Sequence, residues 1–344
     1  MASPRRPGGF AQEAQELVSR ARAYERQGAV REAGVAYDMA IAIADGAPIA
    51  PLHADLHRWK GTLRFDVGAT GEAEALFRRS LEIAQHIRYS GGVGRAQTCL
   101  ALVHQRRGDL AAARRLLDDA SLRAVTDGDQ RLFARIEEHL GTLSSSTGDV
   151  EDAAHRFRQS LRAFRDAGDE QSLAWALDNV ARLHAQRRRH AEAAEALEEG
   201  RTLAQRHGNV FLEGMLETTR AEVLLDTGRA SEAEGACDRA LLIARRRGDR
   251  VRMAIALRLR ARLQRLHGEL VEAGQSLEEA RELAQQSEEA LVSARVLRDL
   301  GELAAQRGDL PGARTAFERS LATYARLGMP PEAVEVGRRL DSRS

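Results

Sequence analysis

Fixed classes of residue return every 40 positions along this chain. Glycine stands at 28, 68, 108, 148, 228, 268 and 308, with Arg188 at the one place in that series that glycine does not fill. Five residues after each of these places comes alanine: Ala33, Ala73, Ala113, Ala153, Ala193, Ala233, Ala273 and Ala313. Seven residues before it comes only Ala or Gly: Ala21, Gly61, Ala101, Gly141, Ala181, Ala221, Ala261 and Gly301. Nine residues after it comes a larger side chain: Tyr37, Phe77, Leu117, Phe157, Leu197, Cys237, Leu277 or Phe317. A second series, offset by 20, holds Gly128, Gly168, Gly208, Gly248 and Gly328, with Pro48, Arg88 and Glu288 at the remaining places. The two series cut the chain into segments of one helix each.

Asp or Asn often follows these glycines, as in Gly108-Asp109, Gly148-Asp149, Gly208-Asn209 and Gly308-Asp309. Glycine in the left-handed conformation closes one helix, and the following side chain accepts from the free N–H groups that open the next. The spacing predicts helices of about 18 residues, roughly 27 Å long. Paired small residues, such as Ala153 and Gly141, are expected to face each other where the two helices of a hairpin cross closely.

On these residues the chain resembles the tetratricopeptide repeat family, whose mark is a small residue in the first helix followed by Ala-x3-Phe in the second. Ala73-x3-Phe77, Ala153-x3-Phe157 and Ala313-x3-Phe317 match it as written. A 40-residue unit is similar to the longer branch seen in bacterial signalling regulators, kinesin light chains and spindle-orientation adaptors. The resemblance implies an all-α, right-handed superhelical solenoid of eight helix-turn-helix repeats over residues 10–328. A disordered lead-in over residues 1–9 is expected before it. A capping helix and tail over 329–344 are expected after it, with Ala333, Val334, Val336 and Leu340 on the cap's apolar side. The Gly91-Gly92-x-Gly94 cluster reads as the turn between repeats two and three, because it lacks the strand and the Lys-Ser/Thr ending of a phosphate loop.

The resemblance also implies an inner wall lined by the first helix of each repeat. Residues 13 positions before the first-series turn then run Arg95, Arg135, Trp175, Met215, Ile255 and Arg295 from repeat three to repeat eight. This is an apolar strip between arginines, the pattern of many protein contacts. The same Trp175, Met215 and Ile255 equally suit packing between adjacent helices. Six positions before the turn, Arg182, Glu222, Arg262 and Glu302 alternate, which reads as lateral ion pairing or as a ligand-binding row. Nine arginines fall between Arg245 and Arg265, and Arg258, Arg262 and Arg265 are expected to share the groove side with Arg295 and Arg298. Asn179 sits where the longer branch carries an Asn-Leu-Gly.

Charge narrows the partners. Lys and Arg number 52 against 51 Asp and Glu, a net charge of +1, so nothing draws the whole chain to nucleic acid or an anionic membrane. No stretch approaches the 18 apolar residues of a membrane span, and Cys99 and Cys237 lie more than three units apart. Both features suit a reducing, cytoplasmic setting. His53 and His57 share a helical face without the glutamate of a zinc-protease motif and read as solvated surface residues. No catalytic constellation, metal set or cofactor motif stands out. The sequence therefore points to a non-catalytic scaffold or adaptor that binds a protein or peptide, such as one carrying acidic groups, with no nucleic-acid or membrane partner. The alternative is a peptide-sensing regulatory module acting on a separate effector such as a transcription factor, kinase or protease.

Overall fold

The computed structural model describes residues 7–46, 48 and 50–341. Its first eight helices are α1 (Pro7–Arg26), α2 (Val30–Asp45), α3 (Pro51–Asp66), α4 (Thr70–His86), α5 (Ser90–Arg107), α6 (Leu110–Asp127), α7 (Gln130–Ser146) and α8 (Val150–Asp166). The next eight are α9 (Glu170–Gln186), α10 (His190–Arg206), α11 (Val210–Asp226), α12 (Ala230–Arg247), α13 (Arg250–His267), α14 (Leu270–Gln286), α15 (Ala290–Gln306) and α16 (Leu310–Arg326), and α17 (Pro330–Asp341) is the last among the described residues. Odd-numbered helices open the hairpins and even-numbered ones close them. Each helix packs on its hairpin partner and on the first helix of the next hairpin, so the array grows by nearest-neighbour stacking.

The stop and start signals act as the sequence implies. Gly28, Gly68, Gly108 and nine further turn glycines have positive φ. Asp109, Asp129, Asp149, Asp169, Asn209, Asp249 and Asp309 each accept a hydrogen bond from the backbone N–H three residues on. Arg88, Arg188 and Glu288 hold the same left-handed turn, with φ of 55°, 59° and 55°, where a side chain costs roughly 1–2 kcal/mol. Pro48 cannot follow them, because its ring fixes φ negative; α2 instead ends at Asp45 with Gly46 at φ −82°.

The close crossing is built differently from the expectation. The alanines five residues after the first-series turns are buried, but the space above Gly141 belongs to Phe157: a Cβ there would lie 2.8 Å from the ring. Gly61 faces Phe77 and Gly301 faces Phe317 in the same way. Glycine occurs at this place only in the three repeats whose second helix carries phenylalanine; repeat one sets Tyr37 against Ala21 instead.

Three local expectations change. Residues 1–6 of the expected lead-in lie outside the described residues, but Pro7 already begins α1, as a proline suits the first helical position. The Gly91-Gly92-x-Gly94 cluster is helical, inside α5, rather than a turn. Its glycines admit neighbours: a Cβ on Gly92 would strike the Tyr89 ring at 2.3 Å, and one on Gly94 would come 3.0 Å from Leu132. In the cap, Val336 is buried with Ala333 and Leu340 against the last hairpin, while Val334 points outward.

The superhelix winds far enough for successive turns to touch. Gly28 lies against Arg247, Gly68 against Ser287 and Gly108 against Leu327, a partner 219 residues later in each case. By contrast, a Cβ at Gly228, Gly268 or Gly308 would meet nothing within 4 Å. Glycine is thus needed twice over at the first three turns, for its φ and for its lack of a side chain.

Candidate functional site

The inner wall is made by the odd-numbered helices, whose ends are fixed by the glycine and Asp signals above. It divides into two stretches. In repeats three to five the sequence-predicted residues keep part of their surface. Arg95 donates from Nη1 to Tyr89 Oη and from Nη2 to Asp129 Oδ2, both at 2.7 Å. Arg135 stands half-buried above the Phe164 ring and donates to Ser172 Oγ at 2.7 Å, with no carboxylate within 4 Å among the described residues. Trp175, half-buried, packs on Phe211 with ring centroids 5.3 Å apart.

Asn179 ties this stretch together. Its Nδ2 donates to Glu138 Oε1 at 2.8 Å, and its Oδ1 accepts from Arg182 Nη2 at 2.9 Å. Glu138 is buried, and its second oxygen has no hydrogen-bond partner. Burial, reinforced by the nearby Asp178 carboxylate, pushes its pKa up to about 7 against the pull of Arg135, Asn179 and Arg182. Asp178 is also buried, with Arg182 Nε at 3.5 Å. Burial and the Arg135 charge drive His139 down to about 3, so it stays neutral.

Repeats six to eight consume their own charges. Met215 is 1% exposed and belongs to the core with Leu177, Leu212 and Leu216, so the groove position expected of it is instead a packing position. Ile255 is partly buried against two neighbouring core clusters. Arg258, also 1% exposed, donates to Glu222 at 2.8 Å and to Asp299 at 3.2 Å, and it is not free for a partner's acidic group. Burial opposes ionisation of Glu222, but Arg258, Arg295 and Arg262 overcome it and bring its carboxyl to about 2.

The remaining arginines follow the same pattern. Arg298 pairs with Asp299 at 2.9 Å, Arg262 with Asp226 at 2.9 Å, and Arg265 with Glu302 at 2.6 Å; Glu302 also holds Arg339 of the cap. Arg295 alone of the predicted set in this half makes no ion pair within 4 Å among the described residues. The expected alternation of Arg182, Glu222, Arg262 and Glu302 does pair charges, but not with one another. Side chains meet partners 36, 37 or 41 residues away rather than 40, on either side of the equivalent position in the neighbouring odd helix.

Tyr89, Glu138, Asp178 and Phe211 were missed as wall residues. Glu138 and Asp178 had a signal: ten positions before the turn, where other repeats carry Arg58, Arg258 and Arg298, repeats four and five carry carboxylates. His53 proves structural, accepting from the Ala50 N–H through Nδ1 and lying 2.6 Å from Ala44 O through Nε2, a pattern that fits a neutral ring protonated on Nε2. His57 is half-buried and pushed down by burial. Both cysteines are free, and burial lifts the Cys237 thiol to about 12, which keeps it from acting as a nucleophile. A shallow depression of about 500 Å³ lies off the wall, between α14 and α15. Among the described residues no helix is long and apolar enough to cross a membrane.

No known family profile matches the sequence, and no curated protein matches it. Solved structures do share its architecture. The Rap conjugation gene regulator of plasmid pLS20, solved with the Phr* peptide, superposes with a TM-score of 0.63 at 16% identity over 78% of this chain and 72% of that one. A Rap protein complexed with Competence and Sporulation Factor gives 0.62 at 12% identity over 97% of this chain and all of the other. A STAND protein with a tetratricopeptide repeat sensor, from Pyrococcus horikoshii, gives 0.54 at 11% identity over 81% of this chain and 42% of that one, so this chain spans less than half of its length. At these identities the likeness concerns the backbone. With its eight 40-residue hairpins and Ala-x3-Phe crossings, this chain has the fold of the tetratricopeptide-repeat proteins.

Proposed function

We propose that this protein is a non-catalytic module that holds a segment of another protein, or a peptide, on the inner wall of repeats three to five. One observation carries the reading: Arg135 and Trp175 occupy equivalent places on adjacent helices, half-exposed, with the guanidinium bonded to a neutral hydroxyl instead of a carboxylate. An indole beside a cation whose own hydrogen bond goes to a hydroxyl is suited to an apolar side chain next to an acidic group. Asn179, steered by Glu138 and Arg182, adds an amide that can bond a peptide backbone. The apolar strip does not extend past Trp175 to Met215, which is covered, and of the arginines expected on the groove side Arg258 is covered while Arg262 and Arg298 are paired.

The peptide-sensing alternative gains support from one fact: of two solved structures with this backbone, both Rap proteins, one is in complex with the Phr* peptide and the other with Competence and Sporulation Factor. In that reading the wall of repeats three to five binds the peptide and a separate chain is the effector. Copurification from the native host followed by mass spectrometry tests both. The expected result is a protein or peptide retained by the parent and by Arg262→Glu, and lost by Arg135→Glu. Retention by Arg135→Glu at parental level would place the binding surface elsewhere.

A further inference from the structure

The contact between successive superhelical turns joins two different edges of the solenoid. One edge holds the turns inside each hairpin, at Gly28, Gly68 and Gly108, and the other holds the turns between hairpins, five and a half repeats later. Arg247, Ser287 and Leu327 press on the three glycines in that order. Thr70 Oγ1 donates to the Ser287 carbonyl at 2.9 Å, and Arg247 Nη1 donates to the Glu25 carbonyl at 3.1 Å. Arg106 pairs with Glu289 at 3.0 Å, both side chains being largely buried, and Arg107 pairs with Glu288 at 2.5 Å.

Beyond this seam both edges run on uncovered. At the hairpin turns Gly228, Gly268 and Gly308 on one, and at Gly128 and Gly168 on the other, a Cβ would meet nothing within 4 Å. The open hairpin edge carries apolar groups at places that the seam buries. Thr70 is 2% exposed, whereas Leu310 at the equivalent place is 53% exposed; Arg106 is largely buried, whereas Leu266 at its place is 65% exposed. Arg307 stands where repeat three has Arg107, and Gly274 replaces the Glu74 that also holds Arg107. Arg307 turns instead to the Leu270 carbonyl and makes no ion pair within 4 Å among the described residues. Arg188 and Arg189, on the same edge, are exposed and equally unpaired among the described residues.

We infer that a second copy of this chain covers the open edge, repeating between molecules the seam made within one. The cap fixes the register. α17 packs on α16 as each odd-numbered helix packs on the even one before it, so it takes the place of a ninth hairpin's first helix and the next copy begins nine repeats on. With the spacing of the internal seam, turn 188 then faces the partner's turn 48, 228 faces 88, 268 faces 128 and 308 faces 168. Exposed charges meet their opposites at all four: Arg188 and Arg189 meet the partner's Asp45, Asp226 meets the partner's Arg88, His267 meets the partner's Asp127, and Arg307 meets the partner's Asp166. The side chains that would press on Gly268 and Gly308 are the partner's Asp127 and the partner's Ala167, both smaller than the Leu327 that already fits against Gly108. Such a contact joins unlike edges and does not close on itself, so copies add end to end and continue the superhelix.

The stacking leaves the inner wall uncovered and is tested without a ligand. Sedimentation velocity at rising concentration should show the parent growing through a series of larger assemblies. Arg189→Glu sets a carboxylate against Asp45 on one edge, Asp166→Arg sets a cation against Arg307 on the other, and each alone should weaken assembly about tenfold or more. Where each alone is monomeric, a mixture of the two should form pairs and nothing larger, because only one matched pair of edges remains. Arg307→Glu combined with Asp166→Arg in one chain exchanges the charges of a single contact and should restore growth. A parent that stays monomeric up to about 1 mM, a parent that stops at two chains, or a mixture that stays monomeric would overturn the proposal. Circular dichroism confirms that each variant keeps its helices.

Discussion

Repeats three to five and repeats six to eight share one 40-residue frame but differ in how they treat charge. In the C-terminal stretch Arg258, Arg262 and Arg265 each meet a carboxylate of a neighbouring repeat, as Arg258 meets Glu222 and Asp299. In the central stretch Arg135 meets only Ser172, and Glu138 and Asp178 keep oxygens without hydrogen-bond partners. The first arrangement stiffens a wall and the second leaves bonding capacity at one. An arginine-rich segment is therefore a poor guide to a binding site when carboxylates recur at the complementary spacing.

The comparison breaks first at Arg258. Its replacement by Met leaves half-buried Glu222 without this partner and buried Asp299 with Arg298 alone, and should destabilise the protein by about 3 kcal/mol in urea denaturation, whereas Arg135→Ala removes one hydrogen bond and should cost about 1 kcal/mol. Equal losses would mean that the two stretches are not different in kind. Trp175→Ala should weaken partner binding by about 2 kcal/mol, measured by calorimetry. Because the indole packs on Phe211, it should also lower stability, which a freely exposed anchor would not do.

Gly141→Ala should cost roughly 1–3 kcal/mol, since the new methyl meets the Phe157 ring, and Phe157→Leu should recover part of that loss in the double variant. Additive losses would show that the ring does not set the residue at 141. The smallest expected effect compares two turns. Gly68→Ala and Gly228→Ala each force a side chain into positive φ, costing about 1–2 kcal/mol, but only the first collides with Ser287. Small-angle scattering should show the superhelix expanded in Gly68→Ala and unchanged in Gly228→Ala.

Much of the fold was legible because it is local. The glycine and Asp signals act within one turn of chain, and Ala33 through Ala313 repeat the same packing eight times over. The candidate site was less so, for geometric reasons. Neighbouring odd helices meet through residues on either side of the equivalent position, so Arg262 reaches Asp226 and not Glu222. The contact between Gly68 and Ser287 depends on the pitch of the whole superhelix, which no single repeat encodes. Trp175 was legible as a wall residue because the frame fixes its place; Met215, at the same place one repeat on, was not, because only tertiary packing covers it.

The division of the inner wall is tested most directly by photo-crosslinking in the native host. A benzophenone amino acid is placed in turn at Arg135, Trp175 and Arg262, with exposed Leu122 as a control. The account predicts one discrete adduct from positions 135 and 175 and none from 262 or 122. An adduct from 262 with none from 135 and 175 would contradict it and move the binding surface to the C-terminal repeats.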